Sequence, residues 1–149
     1  MQATRTDLAL LALRLMTGVV LVFHGSQMLF GAFGGHGIEG TAGWMESLGI
    51  PFPTVSTILA GGTEFFGGLA FLTGVLSRAL SAPVAFAMVV GALSAHSGFD
   101  VTQGGMEYPL VLAVASLALG LMGPGRISLR QGRLDLPFLI EQPAAPAAH

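Results

Sequence analysis

His24, Glu64, His96 and Glu107 are the residues whose types and spacing could do chemistry, and each falls within or at the end of a separate apolar stretch. Two imidazoles and two carboxylates suit a metal site or a proton path. They would equally serve a pocket for a quinone headgroup, whose carbonyls need donors and whose reduction needs protons. Glu64 and His96 are the candidate catalytic groups. His24, Gln27, Glu107 and Arg14 are candidate cofactor-binding residues, and His24, His96, Glu64 and Glu107 form the candidate metal set. An ionisable side chain inside a bilayer costs at least ~2.5 kcal/mol on insertion scales, so retaining several calls for a reason. Structural roles stand beside the chemical ones. Glu64 could be a neutral carboxyl or pair with Arg14, whose long stem can snorkel. His24 and His96 could be helix-end hydrogen-bonding groups, and Glu107 could cap a helix. His36, Glu39, Glu46 and Asp100 read as solvated loop groups, and no fixed-spacing ligand motif accompanies any of these residues.

The elements that must position these groups are apolar and long. The chain has 149 residues, 52% of them hydrophobic and 9% charged, against roughly 25% charged in a soluble domain. A bilayer core needs about 20 mostly apolar residues per helix. Four stretches meet or approach that length: Leu8–Phe30, Val55–Leu76, Ala79–Ser97 and Tyr108–Met122. The first is longer than the ~7–15 residues of a signal-peptide core and reads as a retained helix. Lysine is absent. Arg5, Arg78, Arg126, Arg130 and Arg133 all fall at one side of the alternating segments. The positive-inside rule makes that side cytoplasmic. The expectation is an all-α integral membrane protein, an antiparallel four-helix bundle with both termini inside. Residues 1–140 would form a single domain and 141–149 a disordered tail. Net charge is −2 without a basic run, which argues against a nucleic-acid partner. Cysteine is absent, which excludes disulfides and a thiol relay.

The outer loop 31–54 is glycine-rich at its start, and Thr41–Leu48 should form a short interfacial helix with Trp44 and Met45 toward lipid. Gly49 to Pro53 stops it. Stripes of small residues run along the spans: Thr17, Gly18 and Gly25; Thr57, Gly61 and Gly68; Ala85 and Ala92. Small side chains let membrane helices approach. Each stripe carries its helix's polar group, so Gln27 and His24, Glu64, and His96 should face the interior. At ~1.5 Å rise per residue, His24 and His96 lie near the outer ends of their helices and Glu64 ~14 Å deep. The segment Arg126–Ile140 mixes basic and apolar residues and should lie on the inner membrane surface, with Pro143–His149 disordered.

The order of several short motifs resembles the DoxX family of small four-helix membrane proteins. The motifs are Arg14 through His24-Gly25, Leu48-Gly49-Ile50-Pro51, Glu64-Phe65-Phe66-Gly67-Gly68 and Leu72 through Arg78. His96-Ser97-Gly98-Phe99, Gly104 through Pro109 and Gly123 through Leu129 complete the resemblance. It covers roughly Leu8 to Leu129, and it departs from the family pattern at Arg130, where an aspartate is usual. The resemblance implies a multi-pass protein of the bacterial inner membrane and a role as a membrane subunit of an oxidoreductase system, with family Glu and His positions at Glu64, His96 and Glu107. Three functional readings follow. The first is a redox subunit that binds a quinone or a metal in the outer half of the bundle and serves a soluble oxidoreductase partner. The second is a b-type haem protein with His24 and His96 as an axial pair. The third is a non-enzymatic scaffold, anchor, or small-solute or metal carrier, for which homo-oligomers are plausible.

Overall fold

The computed structural model describes residues 5–129. Arg130, Arg133, the remainder of the expected surface segment to Ile140 and the expected disordered end lie outside the described residues.

Among the described residues there is no strand, and the fold is all-α. Helix α1 spans Arg5–Phe30, α2 Gly37–Ser47, α3 Pro53–Thr73, α4 Ser77–Ala95 and α5 Glu107–Met122. Single 3-10 turns lie at Ala32–Gly34 and Val101–Gln103. Helices α1, α3 and α4 are each long and apolar enough to cross a membrane, and α5 is a shorter apolar helix.

The ends of the helices differ from the expected segments by a few residues, each for a local reason. Helix α3 starts at Pro53, since a first-turn proline sacrifices only an amide that has no helical partner. It stops at Thr73 because Gly74 takes a left-handed conformation, with φ of 79°. The connection to α4 is therefore Gly74–Leu76, and Ser77 already belongs to α4. The short helix begins at Gly37, earlier than expected, and one of its two proposed lipid-facing residues is turned the other way. Met45 is buried, and its sulfur accepts a hydrogen bond from the Thr57 hydroxyl of α3 at 3.4 Å. Thr41, Ala42 and Met45 form one buried stripe at helical spacing. Packing on α3 thus decides the orientation of α2.

Glycine sets the closest approaches. An added Cβ on Gly25 would lie 2.5 Å from the Phe65 nitrogen and 2.8 Å from the Gly61 oxygen, and one on Gly18 would lie 2.9 Å from the Gly68 oxygen. Helices α1 and α3 therefore pack backbone to backbone, antiparallel, with His24 level with Glu64. Helices α4 and α5 form a second close pair, in which Gly120 makes room for Ser81. The core between and within the pairs includes Leu21, Phe71, Val84, Met88, Leu112 and Leu119.

One pole of the molecule holds the arginines among the described residues. Arg14 is 1% exposed and donates from Nε to the Phe71 carbonyl at 2.8 Å and from Nη2 to the Leu72 carbonyl at 3.1 Å. Its Nη1 donates to the carbonyls of Pro124 and Ile127. The Leu129 amide donates to the Thr73 carbonyl at 2.9 Å. The Arg126 amide donates to the buried Asp7 carboxylate at 3.0 Å. The segment after α5 is thus stitched beneath α1 and α3. The opposite pole carries α2 and the loop from Gly98 to Met106.

Candidate functional site

Helices α3 and α4 touch near the arginine pole, where Gly67 accommodates Val84. They then diverge. A Cβ on Gly91 would meet nothing within 4 Å. The wedge between them, closed by α1, α2 and α5, is a cavity of about 680 Å³. That volume falls in the ~300–1,000 Å³ range of small-molecule sites. The wall is mostly apolar, with Leu21, Met45, Met88 and Leu112 among its lining. Its polar groups are few and convergent: His24, Glu64, His96 and Tyr108, with Ser56, Thr63 and Ser94.

The cavity thus brings together three of the residues singled out from the sequence. Glu64, midway along α3, is half-buried and has no hydrogen-bond or ion-pair partner among the described residues. His24 on α1 lines the cavity level with it, with its ring centroid 6.4 Å from that of Tyr108 on α5. His96 closes the α4 end. Its Nδ1 lies 3.0 Å from the Gly91 carbonyl oxygen. A carbonyl can only accept, so Nδ1 is the donor in this contact, which in a neutral imidazole leaves Nε2 as an acceptor. The α3–α4 register sets Glu64 beside Ala87, so His96 lies nine residues further on, roughly 13 Å along the axis at 1.5 Å per residue. His24 and His96 are therefore offset in depth, contrary to the equal levels expected from each helix alone, because that estimate assumed parallel helices starting at one plane.

The other three candidates sit elsewhere. Arg14 belongs to the arginine pole, where backbone carbonyls take up its donors. The Gln27 amide donates to the Phe33 carbonyl at 3.4 Å, tying the turn after α1. Glu107 accepts from the Val101 amide at 2.8 Å and so caps a turn of the α4–α5 loop rather than its own helix. Among the described residues no three His, Asp or Glu side chains are grouped closely enough to hold a metal ion. Sequence reasoning missed Tyr108 and Trp44 as cavity residues. Tyr108 follows Glu107 directly at the start of an apolar helix, which is a usable signal. Trp44 is half-exposed, as expected of a lipid-facing residue, and also lines the cavity.

The loop over α5 supplies a pH prediction. Asp100 Oδ1 accepts from the Thr102 hydroxyl at 2.8 Å and from the Thr102 amide at 2.9 Å. These bonds favour the charged carboxylate, the hydroxyl contributing more, and hold Asp100 below its ordinary range. A carboxylate depressed in the folded state stabilises above its unfolded pKa of about 3.9 and loses that contribution as pH falls through the folded value. The Thr102 amide resonance should stay constant from neutral pH to about 4 and shift only below. In Asp100→Ala it should already be shifted at neutral pH. A shift with a midpoint above pH 5 would contradict a charged Asp100 carboxylate holding this turn.

A fold of apolar helices packed through glycine, with a ligand-sized cavity among them, defines a small multi-pass membrane protein. The DoxX family model matches residues 9–97, and the chain belongs to the DoxX family. It is similar to the inner membrane protein YphA of Escherichia coli strain K12, with 31% identity over 118 residues, covering 74% of this chain and 81% of that one. No solved structure matches the chain. Family and relative together assign it to the inner membrane.

Proposed function

We propose that the protein is the membrane subunit of an oxidoreductase system and holds a quinone headgroup in the cavity between α3 and α4. In this reading α1, α3, α4 and α5 cross the bilayer as an antiparallel four-helix bundle. The arginine pole faces the cytoplasm, in keeping with the positive-inside rule. The observation that carries the reading is the Glu64 carboxyl, without a partner among the described residues, on the wall of an apolar, ligand-sized cavity and level with His24. Both states of Glu64 suit a quinone couple. A carboxyl O–H donates to a quinone carbonyl, and a carboxylate accepts from a quinol hydroxyl. Reduction takes two electrons and two protons. Glu64 and His24 would supply protons, and a soluble partner would supply electrons. The same geometry disfavours a metal site, since Glu107 is engaged with the α4–α5 loop and no close set of three ligands remains among the described residues.

Trp44 gives a direct test, because it is the sole tryptophan and lines the cavity. A short-tailed benzoquinone should quench its fluorescence saturably in nanodiscs. Glu64→Leu should weaken that binding about tenfold, the upper end of what one hydrogen bond from a neutral carboxyl to a quinone carbonyl contributes. Glu64→Gln keeps a donor and an acceptor, so it should bind within about threefold of wild type while losing any proton-coupled turnover. Quenching that rises linearly without saturation, equally in all three proteins, would exclude the site.

A further inference from the structure

We propose that the cavity is entered sideways from the bilayer, through a portal between α3 and α4, and that its ligand carries an apolar tail that lies in that portal. The proposal rests on the reading of the cavity as a quinone site and adds the route of entry and the part of the ligand that the headgroup contacts leave unspecified.

Three observations converge. First, the two helices are held together at one end and splayed at the other. Gly67 meets Val84 closely and only three residues join the helices, whereas Gly91 faces open space. Second, several side chains both line the cavity and stand on the outer surface of the helices. Leu59 is 65% exposed, Phe86 71% and Val90 44%, and all three border the cavity. The cavity therefore continues onto the lateral face instead of ending beneath it. Third, the opening reaches well inside the helices. Leu59 lies six residues into α3, Gly91 four residues before the end of α4, and Phe86 at the centre of α4. On helices that cross a bilayer this level is hydrocarbon, not water. An opening there, edged by Leu, Phe and Val, admits an apolar chain and offers nothing to a hydrated solute. Between those larger edges the helices present Ala60 and Gly91 to the cavity, and the register that sets Gly67 against Val84 puts these two small residues at one level, leaving width for a tail.

The ligand is thus an amphiphile. Its headgroup reaches the Glu64–His24 level, and its tail passes out between Ala60 and Gly91. Adding bulk at the portal should cost tail contacts without touching the headgroup, since Gly91 has room for a side chain.

Two benzoquinones with one headgroup, one bearing a ten-carbon tail and one without, would be titrated against Trp44 fluorescence in phosphatidylcholine nanodiscs. Affinities would be expressed per lipid so that partitioning cancels. The tailed ligand should bind at least about tenfold more tightly on that scale, given roughly 0.8 kcal/mol per buried methylene for the part of the tail that gains protein contact. Gly91→Phe, and independently Ala60→Phe from the facing helix, should reduce that advantage to less than about threefold and leave the tail-less ligand within a similar factor of wild type. A photoreactive group at the tail end should label residues between Leu59 and Thr63 or between Phe86 and Gly91 in the unmodified protein, in competition with unlabelled tailed quinone. This arm needs no substitution and stands even where a variant fails to fold. Absence of a tail advantage, equal loss of both ligands in the variants, or labelling confined to α2 overturns the portal while leaving the cavity site intact. Labelling of the same residues by a photoreactive phospholipid, undiminished by the tailed quinone, assigns the portal to bulk lipid and also overturns it. Saturable quenching by neither ligand overturns the portal together with the quinone reading.

Discussion

Arg14→Ala should destabilise the protein by about 3–5 kcal/mol, the largest loss expected from any single side-chain truncation outside the apolar core. The guanidinium is buried and donates to four backbone carbonyls, those of Phe71 and Leu72 at the end of α3 and of Pro124 and Ile127 after α5. The last carbonyls of a helix have no partner within it. A fixed fork of donors can serve two chain segments at once, whereas an ammonium presents its donors from one point. Arg14→Lys should therefore recover less than half of the loss. Unfolding in mixed micelles, followed by helical circular dichroism, measures both. A value for Arg14→Ala within about 1 kcal/mol of wild type would show that water or detergent headgroups replace the arginine without cost.

Gly25→Leu should force α1 and α3 apart, at or above the upper end of the about 1–3 kcal/mol typical of overpacking. The atoms in the way are backbone: the nitrogen and Cα of Phe65 and the oxygen of Gly61. Backbone within a helix cannot step aside as a flexible side chain can. In a bilayer, close packing of this kind is a main source of helix association, because lipid is as apolar as the side chains. The control is Gly62→Ala, one residue from Gly61 on α3, where an added Cβ meets nothing within 4 Å. It should be neutral or stabilising, since alanine is the better helix former by up to about 1 kcal/mol. The same micelle unfolding measurement separates the two. Because Gly25 sets His24 level with Glu64, Gly25→Leu should also weaken the proposed quinone binding, with Trp44 quenching as the readout. Equal stabilities for the two glycine variants would remove the glycine contact as the organiser of this pair.

Much of this was legible along the chain. The apolar stretches gave the long helices to within a few residues, because hydropathy and proline or glycine punctuation act locally. The small-residue stripes on α1 and α3 named Gly18, Gly25, Gly61 and Gly68 as contact positions, and each proves to be a close approach. Glu64 stood out because a carboxylate is costly in an apolar run wherever that run packs. His24 and His96 were found by the same reasoning, but their relative depth was not, since it depends on how one helix is displaced against the next.

Sequence alone determined that the protein is helical, apolar and built for a membrane, with one acid deep in its third helix and its glycines aligned for contact. These are properties of single segments, set by burial cost and helical periodicity. Only the tertiary structure decided which polar groups share a site. Arg14 and Glu64 look alike in sequence as charges within spans, yet one is consumed by carbonyls at the arginine pole and the other opens onto a cavity without a partner among the described residues. Glu107 is engaged with the α4–α5 loop, while its neighbour Tyr108 lines the cavity. Met45 turns inward because α2 lies against α3. The cavity itself exists because α3 and α4 are close at Gly67 and apart at Gly91, and that angle is fixed by contacts between residues distant in the chain, which no local pattern records.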